Sequence, residues 1–210
     1  MQEHPELRGK SIAVCGDPEA RHGIVLTASY PAKRMGVKTG MPIWEAKQHC
    51  RDLIIVPASY GKYQKYSGYV REVFNDYTDQ VESFGLDEAW LDITGSVGLF
   101  GSPVKIAKEI SVRIKRELGI TVSIGVSFNK ITAKLGSDYK KPDAITVIEP
   151  DTYKQIVYPL PVGDLLYVGN ATQRKLGSYG IRTIGQLAET NPEVLKGWFG
   201  VMGYTLSAFA

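Results

Sequence analysis

The order in which the hydrophobic period changes between Tyr60 and Ile148 limits the fold more than any other feature of this chain. From Tyr60 to Tyr77 the residues Tyr63, Tyr66, Val70, Val73, Phe74 and Tyr77 recur at helical spacing, which predicts one apolar stripe on a helix. Val81 to Leu86 and Ala89 to Thr94 then read as an antiparallel pair with Asp87 and Glu88 at its tip. Over 103–118 the helical period returns through Val104, Ala107, Ile110, Ile114 and Leu118, with Lys108, Lys115 and Arg116 turned outward. Gly119 stands where a C-cap glycine ends a helix. A strand over 121–127, a basic helix over 129–139 and a strand over 144–148 complete the series. The first five elements, helix, strand, strand, helix, strand, are the βαββαβ order of a ferredoxin-like α+β sheet without its first strand. The pattern therefore predicts a chain that begins part-way through a domain.

The flanks are built differently. Before Tyr60, short strands are expected over 11–16, 22–28 and 53–56, the first ending at a Gly16-Asp17-Pro18 turn, with short helices over 31–35 and 42–50. After Pro150 the composition shifts. Residues 149–210 hold five acids (Glu149, Asp151, Asp164, Glu189, Glu193) and five bases (Lys154, Arg174, Lys175, Arg182, Lys196), so residues 1–148 carry the whole net charge of +3. The tail reads as short helices joined at Gly163, Gly169, Gly177, Gly180 and Gly185, and segment 163–182 is compatible with a helix–turn–helix unit. A length of 210 residues allows one or two domains.

Composition removes several classes. The chain is 43% hydrophobic and 22% charged, which argues against disorder. No apolar run approaches the roughly 18 residues of a membrane helix, and Met1 to Lys10 is too polar for a secretory signal. Cys15 and Cys50 lie far apart, neither a disulfide framework nor a zinc pattern, so a reducing cytoplasmic location is expected. His4, His22 and His49 are scattered, which leaves carboxylates to hold any metal. A mildly basic charge is compatible with nucleic acid but does not require it.

Four clusters carry candidate chemistry. Asp87 and Glu88 sit between two apolar half-strands, either as a solvated acidic turn or as oxygen ligands for Mg²⁺, which binds through one or two carboxylates plus substrate phosphates. Asp92, on the same strand face as Trp90, reads better as a solvent-facing acid than as a third ligand. Thr27, Tyr30, Lys33, Arg34 and Lys38 follow a strand at a helix entrance, an arrangement that suits a polyphosphate or simply a surface helix start. Lys130, Lys134 and Lys141 cluster near the last strand. Lys130 and Lys134 read as a solvated helix face, and Lys141, restricted by Pro142, as the better ligand. Last, Val168-Gly169-Asn170 before Arg174 and Lys175 is a tight turn whose amides suit a DNA phosphate, or an ordinary helical hairpin.

In this order the clusters resemble the Y-family translesion DNA polymerases of the DinB/UmuC type. The matching stretches are Pro5 to Lys10, Gly36-Val37-Lys38 with Gly40-Met41, Asp87 to Asp92, Gly125 to Lys130 with Ala133-Lys134-Leu135, Lys141-Pro142, and the Gly169 turn with Gly180-Ile181. The resemblance implies a ferredoxin-like palm over 60–148, small fingers over 1–59 and a helix–hairpin–helix thumb over 149–210. It implies that Asp87 and Glu88 are catalytic acids holding two Mg²⁺ ions with the nucleotide. By the same resemblance Thr27, Tyr30, Lys33 and Lys141 bind the incoming deoxynucleoside triphosphate. The resemblance further implies that Gly169, Arg174 and Lys175 bind primer–template DNA, and that a sliding clamp is a further partner of a full-length protein.

Three departures accompany the resemblance. Lys33 stands where arginine is frequent, which weakens bidentate clamping. The thumb turn reads Tyr167-Val168-Gly169 in place of Gly-Val-Gly. The family's first strand, with a metal-binding Asp, and its little-finger domain have no counterpart, so a piece truncated at both ends is expected. Three activities compete: nucleotidyl transfer, DNA binding without catalysis, and a nucleotide cyclase built on a similar palm. The Gly169 turn and the fingers-like insert disfavour the cyclase.

Overall fold

The computed structural model describes residues 4–16 and 23–210. The Asp17-Pro18 part of the expected turn and the first residue of the second expected strand lie outside the described residues. The chain divides into two compact units, Met1–Tyr66 and Ser67–Ala210.

In the first unit, β1 (Ile12–Cys15) pairs antiparallel with β2 (Val25–Ala28) and parallel with β3 (Ile54–Pro57), giving the order β2-β1-β3. Between β2 and β3 lie α1 (Tyr30–Arg34) and α2 (Ile43–His49). The core is made of small side chains: Ala13, Cys15, Val25, Ala32, Val37, Ala46, Cys50 and Leu53. Both cysteines are free and buried, and burial pushes the Cys15 thiol above its ordinary pKa. They serve as small apolar residues of the core. α3 (Tyr60–Asn75) spans the division between the units.

The second unit follows the expected alternation. β4 (Val81–Phe84) and β5 (Glu88–Leu91) form an antiparallel hairpin. A short α4 (Val97–Phe100) leads to α5 (Pro103–Leu118), which Ser102 caps by accepting from the Lys105 N–H at 3.3 Å. Gly119 ends α5 in the left-handed region at φ 62°, as the sequence predicts. β6 (Ile124–Ser127), α6 (Lys130–Tyr139) and β7 (Ile145–Ile148) form a parallel unit, β6 paired with β7. β6 is shorter than the expected 121–127 because its partner offers only four residues to pair with. β5 stops at Leu91 because the Asp92 carboxylate accepts from the Thr94 N–H at 2.9 Å and turns the chain.

Within this unit the strands make two separate two-stranded sheets, β4-β5 and β6-β7; among the described residues no strand pairs β5 with β6. The two sheets share a core all the same. Leu91 and Ile93, at and just beyond the end of β5, and Val122 and Ile124, around the start of β6, pack on Val73, Tyr77, Ile106, Ile110 and Ile114. α6 ties the sheets together. A Cβ on Gly125 of β6 would lie 1.8 Å from the Ala133 carbonyl oxygen, so α6 presses on β6 backbone to backbone. On the other side, Trp90 of β5 donates its indole N–H to the Lys130 carbonyl at 2.9 Å.

The tail is helical: α7 (Tyr153–Val157), α8 (Asn170–Ser178), α9 (Ile184–Ala188), α10 (Pro192–Phe199) and α11 (Val201–Phe209). Thr183 and Gln186 form a reciprocal capping box on α9. Leu176, Ile184, Leu187, Leu195 and Leu206 fill the tail's core, which reaches back to Leu135 of α6 and Ile148 of β7. No helix among the described residues is long and apolar enough to cross a membrane.

Candidate active-site hairpin and its ion-pair network

The β4–β5 hairpin closes through Gly85-Leu86-Asp87, with Phe84 opposite Glu88. Gly85 takes φ 77°, a conformation other residues avoid. Asp87 is the last turn residue and Glu88 the first of β5, so the acid pair straddles the tip and the strand. α3 holds the turn from one side. Ser67 donates to the Leu86 carbonyl, and Arg71 donates to the Gly85 carbonyl at 3.1 Å and to the Ser83 hydroxyl. Sequence reasoning missed this clamp, although Ser67 and Arg71 stand at the i,i+4 spacing that puts them on one helix face.

α6 holds the hairpin from the other side, and here the structure corrects the reading of a solvated lysine face at Lys134, while Lys130 is exposed. The Lys134 side chain is only 16% exposed, and its Nζ lies 3.0 Å from Glu88 Oε1 and 2.5 Å from Asp138 Oδ2. Helical geometry explains the difference: Lys134 is one turn on from Lys130, whose ammonium pairs with Glu82 and whose backbone receives Trp90, so it is aimed at the hairpin. Burial works against the Lys134 charge, but hydrogen bonds to Asp138 and Glu88 outweigh it and raise its pKa. Burial likewise opposes ionisation of Asp138, yet hydrogen bonds from Lys134 and Lys141 hold its carboxyl below the ordinary range.

Lys141 joins the same network. It is 48% exposed, pairs with Asp138 Oδ1 at 2.7 Å, and precedes Pro142 through a cis peptide bond. The structure thus brings Glu88 and Lys141 together through Lys134 and Asp138. Asp92 is exposed and engaged with Thr94, whose hydrogen bonds lower its pKa, in keeping with a solvent-facing acid.

The other expected residues have different partners. In the first unit, exposed Thr27 sits in β2 opposite Val14, and Tyr30 opens α1 at 44% exposure with Lys33 Nζ 5.3 Å from its ring centre. Arg34 and Lys38 are exposed nearby. α1 has only five residues, and Ser29 at its N-cap spends its hydroxyl on β1, accepting from the Ile12 N–H at 3.0 Å. In the second unit, Gly169 is the N-cap of α8 with nothing within 4 Å of where a Cβ would be. Arg174 donates back to the Asn170 carbonyl at 3.3 Å. Lys175 turns toward α10, where it donates to the Trp198 carbonyl and lies 4.7 Å from the Phe199 ring centre. Tyr167, two residues before Gly169, holds φ 69°. A cleft of about 310 Å³ runs between Lys134 and Asp138 of α6 and the 164–169 turn.

Chemically, the hairpin offers only hard oxygen donors, the kind a divalent cation such as Mg²⁺ accepts. Glu88 already faces a cation, the Lys134 ammonium. Among the described residues no three His, Cys, Asp or Glu side chains come together to hold an ion, so waters and substrate oxygens would supply the rest of its shell.

The architecture is that of the α+β polymerases of the DinB type. It superposes on DinB from Sulfolobus solfataricus with a TM-score of 0.90 and 31% identity, over 100% of this chain and 62% of that one. A structure described as the insertion ternary complex of Dbh DNA polymerase agrees equally, with a TM-score of 0.90 and 31% identity over 99% of this chain and 62% of that one. The profile of the impB/mucB/samB family matches residues 1–138, and the chain belongs to that family, the Y-family polymerases of the DNA polymerase IV type. Among curated relatives, DNA polymerase IV of Acetivibrio thermocellus is 56% identical over 207 residues, 99% of this chain and 52% of that protein. DNA polymerase IV 1 of Bacillus subtilis is 42% identical over 203 residues, 97% of this chain and 49% of that protein. The chain spans about half the length of the curated relatives it matches.

Proposed function

We propose that this chain carries the nucleotidyl-transfer part of a translesion DNA polymerase, adding deoxynucleotides to a primer on damaged template. The observation that carries the reading is the acid pair on a hairpin clamped from both sides, by Ser67 and Arg71 and by Lys134, in a chain of this family. On this reading residues 1–59 are fingers, 60–148 the palm and 149–210 a helix–hairpin–helix thumb. Two Mg²⁺ ions, when bound with nucleotide, supply activation of the primer hydroxyl and stabilisation of the leaving oxygen.

The chain's own residues bind and orient. Asp87 and Glu88 provide the carboxylates. Thr27 and Tyr30 offer hydroxyls, and Lys33 and Lys141 cations, to the triphosphate. The free amides that begin α8 after Gly169 receive a phosphate of primer–template DNA, with Arg174 and Lys175 adding a nonspecific electrostatic term. Such contacts position a duplex without reading bases, as a polymerase that accepts any sequence requires.

Primer extension with Mg²⁺ and all four deoxynucleotides tests the reading. Extension that disappears in Asp87→Asn and Glu88→Gln supports it. The competing reading, DNA binding without catalysis, draws on the lack of a three-ligand cluster among the described residues. Salt-sensitive binding to primer–template DNA with no extension at any Mg²⁺ concentration would favour it.

A further inference from the structure

In the reading above Lys134 clamps the hairpin but binds no substrate, and at 16% it is the least exposed cation of the ion pairs at the hairpin among the described residues. Its ammonium has two partners: Glu88 Oε1 at 3.0 Å and Asp138 Oδ2 at 2.5 Å. Asp138 is shared in turn with Lys141 at 2.7 Å. A largely buried ammonium needs a carboxylate, since an unpaired charge there carries a desolvation cost. Lys134 has a second one in reserve, so it can release Glu88 without being left unpaired.

We propose that Lys134 is a resident counter-cation that holds the hairpin acid in place and competes with a divalent metal ion for Glu88. When the metal arrives, the ammonium is handed over to Asp138. The inference rests on Glu88 being a metal ligand. It adds that metal affinity is set by a lysine outside the carboxylate pair. Without a nucleotide to bring phosphate oxygens, the lysine wins and the hairpin stays ordered. With one, the extra oxygens tip the competition to the metal.

The test is Mn²⁺ binding to the chain without DNA or nucleotide, read as loss of the free-ion electron paramagnetic resonance signal. Lys134→Met should bind Mn²⁺ at least about thirtyfold more tightly than the wild type, the factor for removing a unit charge about 4 Å from a doubly charged ion even at the dielectric of water. Asp138→Asn should bind it more weakly, because Lys134 loses its alternative partner. Lys134→Arg, which keeps the charge, should bind like the wild type. Lys130→Met is the control: its ammonium pairs with Glu82, so removing it should leave the affinity unchanged. Circular dichroism checks each fold, and if Lys134→Met unfolds, the opposite-signed Asp138→Asn and the charge-keeping Lys134→Arg decide. Equal Mn²⁺ affinity in Lys134→Met and wild type, with weaker binding in Glu88→Gln, overturns the role of Lys134 and leaves the metal site standing. An equal gain in Lys130→Met also overturns it, as a general charge effect. Mn²⁺ binding untouched by Glu88→Gln overturns the metal reading itself.

Discussion

Single residues decide whether the site's charges and surfaces are available. Gly169 is the clearest case. Its φ of −77° is open to any residue, and a Cβ there would meet nothing within 4 Å. Gly169→Val should therefore leave the thermal midpoint nearly unchanged while it weakens primer–template binding in fluorescence anisotropy, because the methyl groups occupy space a phosphate must enter. A loss of stability equal to the loss of binding would assign the glycine to packing. Asp138 sets a pH dependence. Its carboxyl pKa is lowered in the folded chain, so its ion pairs stabilise above the ordinary value near 4 and are lost as the pH falls through the lowered one. Lys134, raised, loses its contribution only at alkaline pH. Urea midpoints should thus fall between about pH 5 and pH 2, and fall less steeply in Asp138→Asn. An identical acid slope in the two proteins would show that Asp138 carries none of it.

At the scale of elements, α6 is the part on which the site depends. It contributes Leu135 to the tail's core, lies against β6 with no room for a side chain at Gly125, and reaches the hairpin through Lys130 and Lys134. Gly125→Ala pushes a methyl group into the Ala133 carbonyl, so either β6 or α6 must move. The expected loss of stability is about 1–3 kcal/mol by denaturant titration, the range for overpacking. Because the same shift carries Lys134 away from Glu88, primer extension should fall further than stability does. A variant with full activity and an unchanged midpoint would mean that the backbone relaxes freely there. The long helix α5 was legible in sequence. α5 follows its apolar period, ends at Gly119, and exposes Lys108, Lys115 and Arg116 as the pattern requires. The strand lengths of β5 and β6 were not legible, because a strand ends where its partner or a local turn ends it, and neither is written in its own period.

For the whole molecule, the separate sheets β4-β5 and β6-β7 leave β5 and β6 each with one side unpaired by any described strand. Unpaired edges template association. Light scattering should show mass rising with concentration, and an added Lys at an outward position of β5 or β6 should suppress it; a mass independent of concentration at high protein would refute this. What the sequence determined alone was the alternation of elements, the acid pair on a hairpin, the glycine-capped helices and the family resemblance. Each of these depends on near neighbours along the chain, through side-chain period, capping and turn chemistry. Only the tertiary structure decided that Ser67 and Arg71 clamp the turn, that Lys134 is held largely buried against Glu88, and that Lys175 turns toward α10. A lysine on a helix looks the same in sequence whether it faces water or a carboxylate 46 positions away. The difference is set by which face of α6 the sheets cover, and that is fixed by the close approach at Gly125 and by Trp90 seated on the Lys130 carbonyl.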